Sequence, residues 1–263
     1  MTAPKERADK LLVRSGLAES RHKAQALIMA GRVMQNGEKI EKPGQLLNEE
    51  ASLSIKETLP FVGRGGLKLE EALDSFRLSV KGLVAADLGA STGGFSDCLL
   101  QRGARKVYAV DVETRQLDWN LSKDSRLIII KKNARALKPE DFDEKPQMVV
   151  MDLSFISLLK VLPAVKTLLS GDCVLALIKP QFEAGRGRIG KKGVIRDKSV
   201  QEDILGQVIR GAADMGFHLN GILKSSTRGQ KGNREFFAWW SLSMENKGTS
   251  SEEAMIKEAV WNE

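Results

Sequence analysis

Apolar and polar positions along the 263-residue chain fall into two regimes. In the first, Ala8, Leu11, Leu12 and Leu17 have helical spacing and predict a short helix closed by Gly16. Ser20 then caps a second helix, whose Ala24, Leu27 and Ile28 share one face before Gly31 ends it. Arg32 to Ile40 carries Asn36-Gly37 at its centre, a hairpin signal. These elements predict a small α+β unit over 1–58. Pro60, Gly63, Gly65 and Gly66 punctuate residues 59–66 as a linker.

The second regime begins with an amphipathic helix from Leu67 to Phe76, bearing Lys68. Strand-like apolar runs then recur at 83–88, 106–112, 127–131, 148–153, 173–178, 217–225 and 235–242. Helical patterns separate several of them, near 94–102, 115–121, 157–169 and 199–214. Val149-Val150-Met151 and Val174 to Ile178 are apolar on both faces, as in a helix-covered parallel sheet. The alternation predicts an α/β fold over 67–245, a doubly wound and mostly parallel seven-stranded Rossmann-like sheet. Residues 246–263 read as a polar, frayed tail.

Composition narrows the function. With 42% hydrophobic and 29% charged residues the chain is globular. A net charge of +7 and a pI near 9.4 favour a nucleic-acid partner over a merely solvated surface. The two cysteines, Cys98 and Cys173, lie in apolar patterns and read as free thiols of a reducing compartment. Two scattered histidines and two cysteines make no metal site. The charged N-terminus lacks a leader pattern and no run approaches a membrane span. A cytoplasmic protein, monomeric by default and with no membrane partner, is expected.

The most informative stretch is Leu83-Val-Ala-Ala-Asp87-Leu-Gly89-Ala-Ser91-Thr92-Gly93-Gly94-Phe95. An apolar strand meets an acid, a glycine loop, and then a helix whose free N–H groups can take a polar ligand. Gly89, Gly93 and Gly94 have no Cβ and would let a ligand approach backbone. Neither the phosphate-loop ending nor the dinucleotide glycine spacing is present. The loop resembles the S-adenosylmethionine loop of 2′-O-ribose methyltransferases. Asp111, at the second strand's end, suits a ribose diol or else caps a turn before Arg115. Asn133 ends the third strand as an adenine-edge contact or a plain turn residue. The cofactor set is therefore Asp87, Gly89, Ser91, Thr92, Gly93, Gly94, Phe95, Asp111 and Asn133.

Asp152 ends the fourth strand and Lys179 the fifth. Glu235 opens the seventh, and Lys68 precedes the first. Lysine at the end of an apolar strand requires a partner. The four match the Lys-Asp-Lys-Glu tetrad of the FtsJ/RrmJ-like 2′-O-methyltransferases; the plainer alternative is two structural ion pairs. A lysine abstracts a hydroxyl proton only as the neutral amine. Lys179 is expected as the base, with Lys68 polarising the hydroxyl and Asp152 and Glu235 holding the pair.

In the first unit, Arg7-x-Asp-Lys-x-Leu-Val-x-x-Gly-Leu-x-x-Ser-Arg21-x-x-Ala-x-x-Leu-Ile-x-x-Gly-x-Val-x-x-Asn-Gly resembles the RNA-binding domain named after ribosomal protein S-four. Its basic helical face, Arg7, Arg14, Arg21, Lys23 and Arg32, suits the backbone of folded RNA, although Glu19 interrupts it. Arg64 in the linker, and Arg186 and Arg188 in a glycine-rich basic loop, extend the candidate RNA set; a solvated loop is the alternative. With Arg64-Gly-Gly-Leu-Lys, Leu177-Ile-Lys-Pro-Gln-Phe-Glu and Gly193-Val-Ile-Arg-Asp, the whole chain resembles the hemolysin-A-like (TlyA) family. That resemblance implies S-adenosylmethionine-dependent methylation of cytidine ribose 2′-hydroxyls in ribosomal RNA, in one or both subunits. A non-catalytic ribosome-assembly factor would not need the tetrad. A literal haemolysin would need membrane-active segments that the sequence does not display.

Overall fold

The structure, a computed structural model, describes residues 4–56, 60–185, 188, 193–243 and 251–262. The chain divides into two compact units, Met1–Leu59 and Pro60–Glu263.

The smaller unit comprises β1 (Lys5–Arg7), α1 (Ala8–Arg14), α2 (Arg21–Met29), β2 (Val33–Gln35), β3 (Glu38–Lys39), β4 (Leu46–Asn48) and β5 (Leu53–Ile55). β1 pairs with β4, and β2 lies between β3 and β5, all antiparallel. The expected hairpin turns at Asn36 and Gly37, whose φ of 49° and 86° suit that dipeptide. Ser20 caps α2 by accepting from Lys23 N–H at 3.2 Å. Leu11, Leu12, Ile28, Val33, Ile40 and Leu47 close a separate core. Strands β1, β4 and β5 were not expected; three-residue strands carry too little alternation to be seen in a sequence.

The larger unit comprises α3 (Arg64–Ser75), β6 (Val84–Leu88), α4 (Gly94–Gln101), β7 (Lys106–Asp111), β8 (Leu127–Lys131), β9 (Met148–Met151), α5 (Leu162–Leu168), β10 (Cys173–Ile178), α6 (Pro180–Glu183), α7 (Lys198–Asp214), β11 (His218–Lys224), β12 (Phe236–Ser241) and α8 (Glu252–Trp261). Its sheet has the order β11-β12-β10-β9-β6-β7-β8, with β12 antiparallel to both neighbours. This is the predicted doubly wound α/β sheet. β6, β9 and β10 are buried nearly throughout, and their carboxyl ends share one edge: Leu88 pairs with Met151, which neighbours Ala176. One face packs against α3 and α4, the other against α5, α7 and α8. Burial pushes the thiols of Cys98 and Cys173 up to about 12, so both remain neutral; neither forms a disulfide.

Three expectations are corrected. Instead of a helix at 115–121 there are two 3-10 turns, Thr114–Gln116 and Leu121–Lys123. Asp118 breaks the helix by accepting from Asn120 and Leu121 N–H at 2.8 and 3.0 Å. The helix expected at 157–169 is a 3-10 turn followed by α5, because Pro163 is tolerated only in a first helical turn. Within the expected polar tail, α8 buries Ile256, Ala259 and Val260 against the sheet's second face. Among the described residues no helix is long and apolar enough to cross a membrane. None of them forms a His, Cys, Asp and Glu cluster able to hold a metal.

Candidate active site

Four elements deliver the tetrad to one cavity of about 400 Å³. Lys68 projects from the buried face of α3, while Asp152 and Lys179 are the first residues beyond β9 and β10. Glu235 immediately precedes β12; the antiparallel pairing of Ile178 with Phe236 sets it beside the end of β10. Lys68 Nζ donates to Glu235 Oε2 at 2.6 Å, and both residues are buried. Lys179 Nζ lies 2.6 Å from Asp152 Oδ1 and donates to Ser154 Oγ at 3.0 Å. At this distance Lys179 and Asp152 form an ion pair. Two lysines and two carboxylates thus meet around one space.

A second cavity of about 920 Å³ adjoins the first. Both are lined by Gly89, Ser91, Asp152, Ser154, Phe155 and Phe182. Asp111 and Asn133 line the second cavity. Asp111 accepts from Ser91 N–H and Glu113 N–H at 2.8 and 2.9 Å, which ties the glycine loop to the end of β7. Asn133 Oδ1 accepts from Arg135 N–H at 3.0 Å, so Asn133 caps a turn and lines the cavity at once. Thr92, Gly94 and Phe95 line the first cavity.

Asp87 and Gly93 line neither cavity. The strand ends at Leu88, one residue beyond the acid, and Asp87 is fully buried. Its Oδ2 accepts from Ser96 Oγ at 2.7 Å and its Oδ1 has no partner. Burial, reinforced by Asp152 and Asp111, pushes its pKa up to about 7 against the pull of the Ser96 hydroxyl. The glycines also serve packing more than ligand approach. A Cβ at Gly89, whose φ is +90°, would lie 2.7 Å from the Asp152 carbonyl oxygen, and one at Gly94 would lie 3.0 Å from Gly66 N. The loop is pressed against α3 and the end of β9, and any larger residue would force them apart.

The expected RNA-contacting cations behave differently. Arg7 and Arg21 both bind buried Asp9, at 3.0 and 2.9 Å. Led by the Arg7 fork, these bonds hold the Asp9 carboxyl well below the usual range against the opposing effect of desolvation. Arg14 pairs with Glu6 and Glu49, Lys23 with Glu19, and Arg188 with Asp203. The Arg32 guanidinium reaches the Lys56 carbonyl. Arg64 lines the tetrad cavity. Arg186 lies outside the described residues.

Sequence reasoning missed Phe155 and Phe182. Their rings lie 4.8 Å apart, and Phe155 is 87% exposed with φ 63°, an unusual conformation for an aromatic residue. Each follows a tetrad residue by three positions, in Asp152-Leu-Ser-Phe and Lys179-Pro-Gln-Phe. That shared offset is the signal that could have revealed them.

The family profile described as FtsJ-like methyltransferase matches residues 61–242, and the S4 domain profile matches residues 6–53. The 16S/23S rRNA (cytidine-2′-O)-methyltransferase TlyA of Mycobacterium tuberculosis is 42% identical, covering 90% of each chain. Hemolysin A of Brachyspira hyodysenteriae is also 42% identical, covering 88% of this chain and 98% of its own. A solved candidate hemolysin of Streptococcus thermophilus superposes with a TM-score of 0.73 at 44% identity, covering 98% of this chain and 96% of its own. With the profile spanning most of its length and these relatives covering nearly all of it, the chain belongs to the FtsJ-like methyltransferase family, in the S4-bearing group of the TlyA and hemolysin A proteins.

Proposed function

We propose that this chain methylates the 2′-hydroxyl of a cytidine in ribosomal RNA, with S-adenosylmethionine as donor. The observation that carries the reading is the junction of the two cavities. The tetrad surrounds one, the Asp111 and Asn133 side chains line the other, and Asp152 stands between them.

The larger cavity fits the donor chemically. Asp111 offers a carboxylate to a ribose diol, and Asn133 offers an amide near a base edge. Asp152, which lines both cavities, offers its carboxylate to a cationic or hydroxyl group at the junction. When bound, S-adenosylmethionine supplies a methyl group activated by its sulfonium. The remaining task is to align a weakly nucleophilic hydroxyl and remove its proton.

Lys179 Nζ is the group placed to receive that proton, with Asp152 at 2.6 Å and Ser154 at 3.0 Å fixing its position. Lys68, held by Glu235, donates to the hydroxyl oxygen and stabilises charge as it develops there. Phe155 and Phe182 line the junction with apolar surface. The smaller unit supplies affinity for folded RNA. Ribosomal RNA as substrate makes the cytoplasm the expected location.

The test incubates the purified protein with methyl-tritiated S-adenosylmethionine and separated small and large ribosomal subunits lacking the modification. Label should enter the RNA of at least one subunit. Absence of label from both, with donor binding intact, would leave a non-catalytic RNA-binding factor as the better reading.

A further inference from the structure

Beyond the tetrad cavity lies a cleft of about 760 Å³, walled by the residues leading into α7, the end of β11 and the loop 225–234. Six cations line it: Arg196, Lys198, Lys224, Arg228, Lys231 and Arg234. Among the described residues no acidic side chain lines it. Glu71 comes close from behind, where its carboxylate accepts Ser226 N–H at 3.0 Å. Most arginines discussed above are neutralised by carboxylates. Arg196, Arg228, Lys231 and Arg234 form no ion pair among the described residues. Gathering these four unpaired cations in one concavity is electrostatically unfavourable unless an anion fills it. Arg228 lines both this cleft and the tetrad cavity, so the two are neighbours across that side chain.

We propose that this cleft carries the phosphodiester backbone of the RNA strand that flanks the methylated nucleotide. The inference rests on the reading of the tetrad cavity as an RNA 2′-hydroxyl site. An internal nucleotide whose ribose enters that cavity brings a phosphate on each side. Those phosphates leave past Arg64 and Arg228, both of which line the cavity. Past Arg228, the strand meets the remaining five cations. Six lysine and arginine heads along one cleft suit a backbone tracked by charge, without base-specific readout. An anionic membrane is a poorer match, since the charge lines a concavity instead of a projecting apolar face. None of these six cations belongs to the RNA set expected from the sequence. The local signal was the alternation of glycine and basic residues in Arg228-Gly-Gln-Lys-Gly-Asn-Arg234.

The test uses the full chain carrying Arg196→Gln, Lys198→Gln and Lys231→Gln, all at exposed positions outside the tetrad cavity. Binding to a short, fluorescein-labelled, single-stranded RNA of mixed sequence is followed by anisotropy across a salt series. Three lost phosphate contacts should lower the slope of log affinity against log salt by about 2 and weaken binding on the order of 100-fold at low salt. Melting temperature and donor affinity by calorimetry should stay at wild-type values. Unchanged slope and affinity would overturn the proposal. So would binding to phosphatidylglycerol vesicles that falls in the variant while RNA binding does not. Methyl transfer by the wild-type protein onto ribosomal subunits is scored separately. A wild-type protein that methylates subunits while the variant keeps its full salt slope refutes the cleft alone. A wild-type protein that transfers nothing, with the slope still reduced in the variant, refutes the 2′-hydroxyl reading and leaves the cleft as an RNA site.

Discussion

A carboxyl removed from water, with donors from only one residue, holds its proton to higher pH than usual. Asp87 is such a group, raised from an ordinary 3.8 to about 7. Unfolded, it ionises near 3.8; folded, it stays protonated until about 7. Between those values the folded state binds more protons, so stability falls as pH rises, by about 4 kcal/mol across the window. Above 7 this contribution is flat. Glu183 is also raised by burial and adds to the same trend in every variant. Asp87→Asn should therefore gain several degrees in melting temperature relative to wild type between pH 5 and pH 8, read by calorimetry. Parallel curves across that range would show that the Asp87 charge is compensated in the fold. At this scale the sequence was legible where chemistry is unusual: a lysine closing an apolar strand needs a partner, and Lys179 and Lys68 each have one. It was illegible where packing decides. Nothing in Ala-Asp-Leu-Gly says that Asp87 turns toward Ser96, or that the Cβ of residue 94 would meet α3.

Among elements, α8 departs furthest from expectation. Three glutamates and a lysine interrupt its apolar residues and hide a stripe of Ile256, Ala259 and Val260 with i, i+3 and i+4 spacing. Ser251 caps it by accepting from Ala254 N–H at 3.2 Å, and Trp261 Nε1 donates to Glu202 on α7 at 2.7 Å. Burial of Ile256 and Val260 contributes about 4 kcal/mol together. Removing residues 251–263 should lower the unfolding midpoint by roughly 10 °C, with Ile256→Asp giving a smaller loss in the same direction. An unchanged midpoint would mean the helix adds nothing to the core. The central strands were legible because an apolar run buried on both faces has few alternatives. The segment after β7 was not, because Asp118 replaces a helix with turns through a side-chain contact that periodicity does not record.

On the scale of the whole molecule, each unit has its own core, and the tetrad lies entirely in the larger one. The cations of the smaller unit were legible in its sequence, but their pairing with Asp9, Glu6, Glu49 and Glu19 was not. Arg7 and Arg21 anchor buried Asp9, so reversing their charge would strand a buried carboxylate and destabilise the unit whatever its effect on RNA. Deleting residues 1–59 is the cleaner experiment. It should leave donor affinity by calorimetry within twofold of wild type and reduce methylation of ribosomal subunits by more than tenfold, about 1.4 kcal/mol of lost binding or more. Full activity without the smaller unit would place substrate recognition in the larger one alone.

The central claim is that the tetrad directs the methyl group to a ribose oxygen, with Lys179 taking the proton. The most direct measurement is mass spectrometry of nucleosides digested from ribosomal RNA treated with wild-type protein or with Lys179→Arg, both saturated with donor. Guanidinium stays protonated, so the variant retains the charge and loses the base. The account predicts 2′-O-methylcytidine from the wild-type protein and at least a hundredfold less from the variant, a barrier higher by about 2.7 kcal/mol. Methyl groups on a base instead of a ribose, or near-normal 2′-O-methylcytidine from Lys179→Arg, would contradict it.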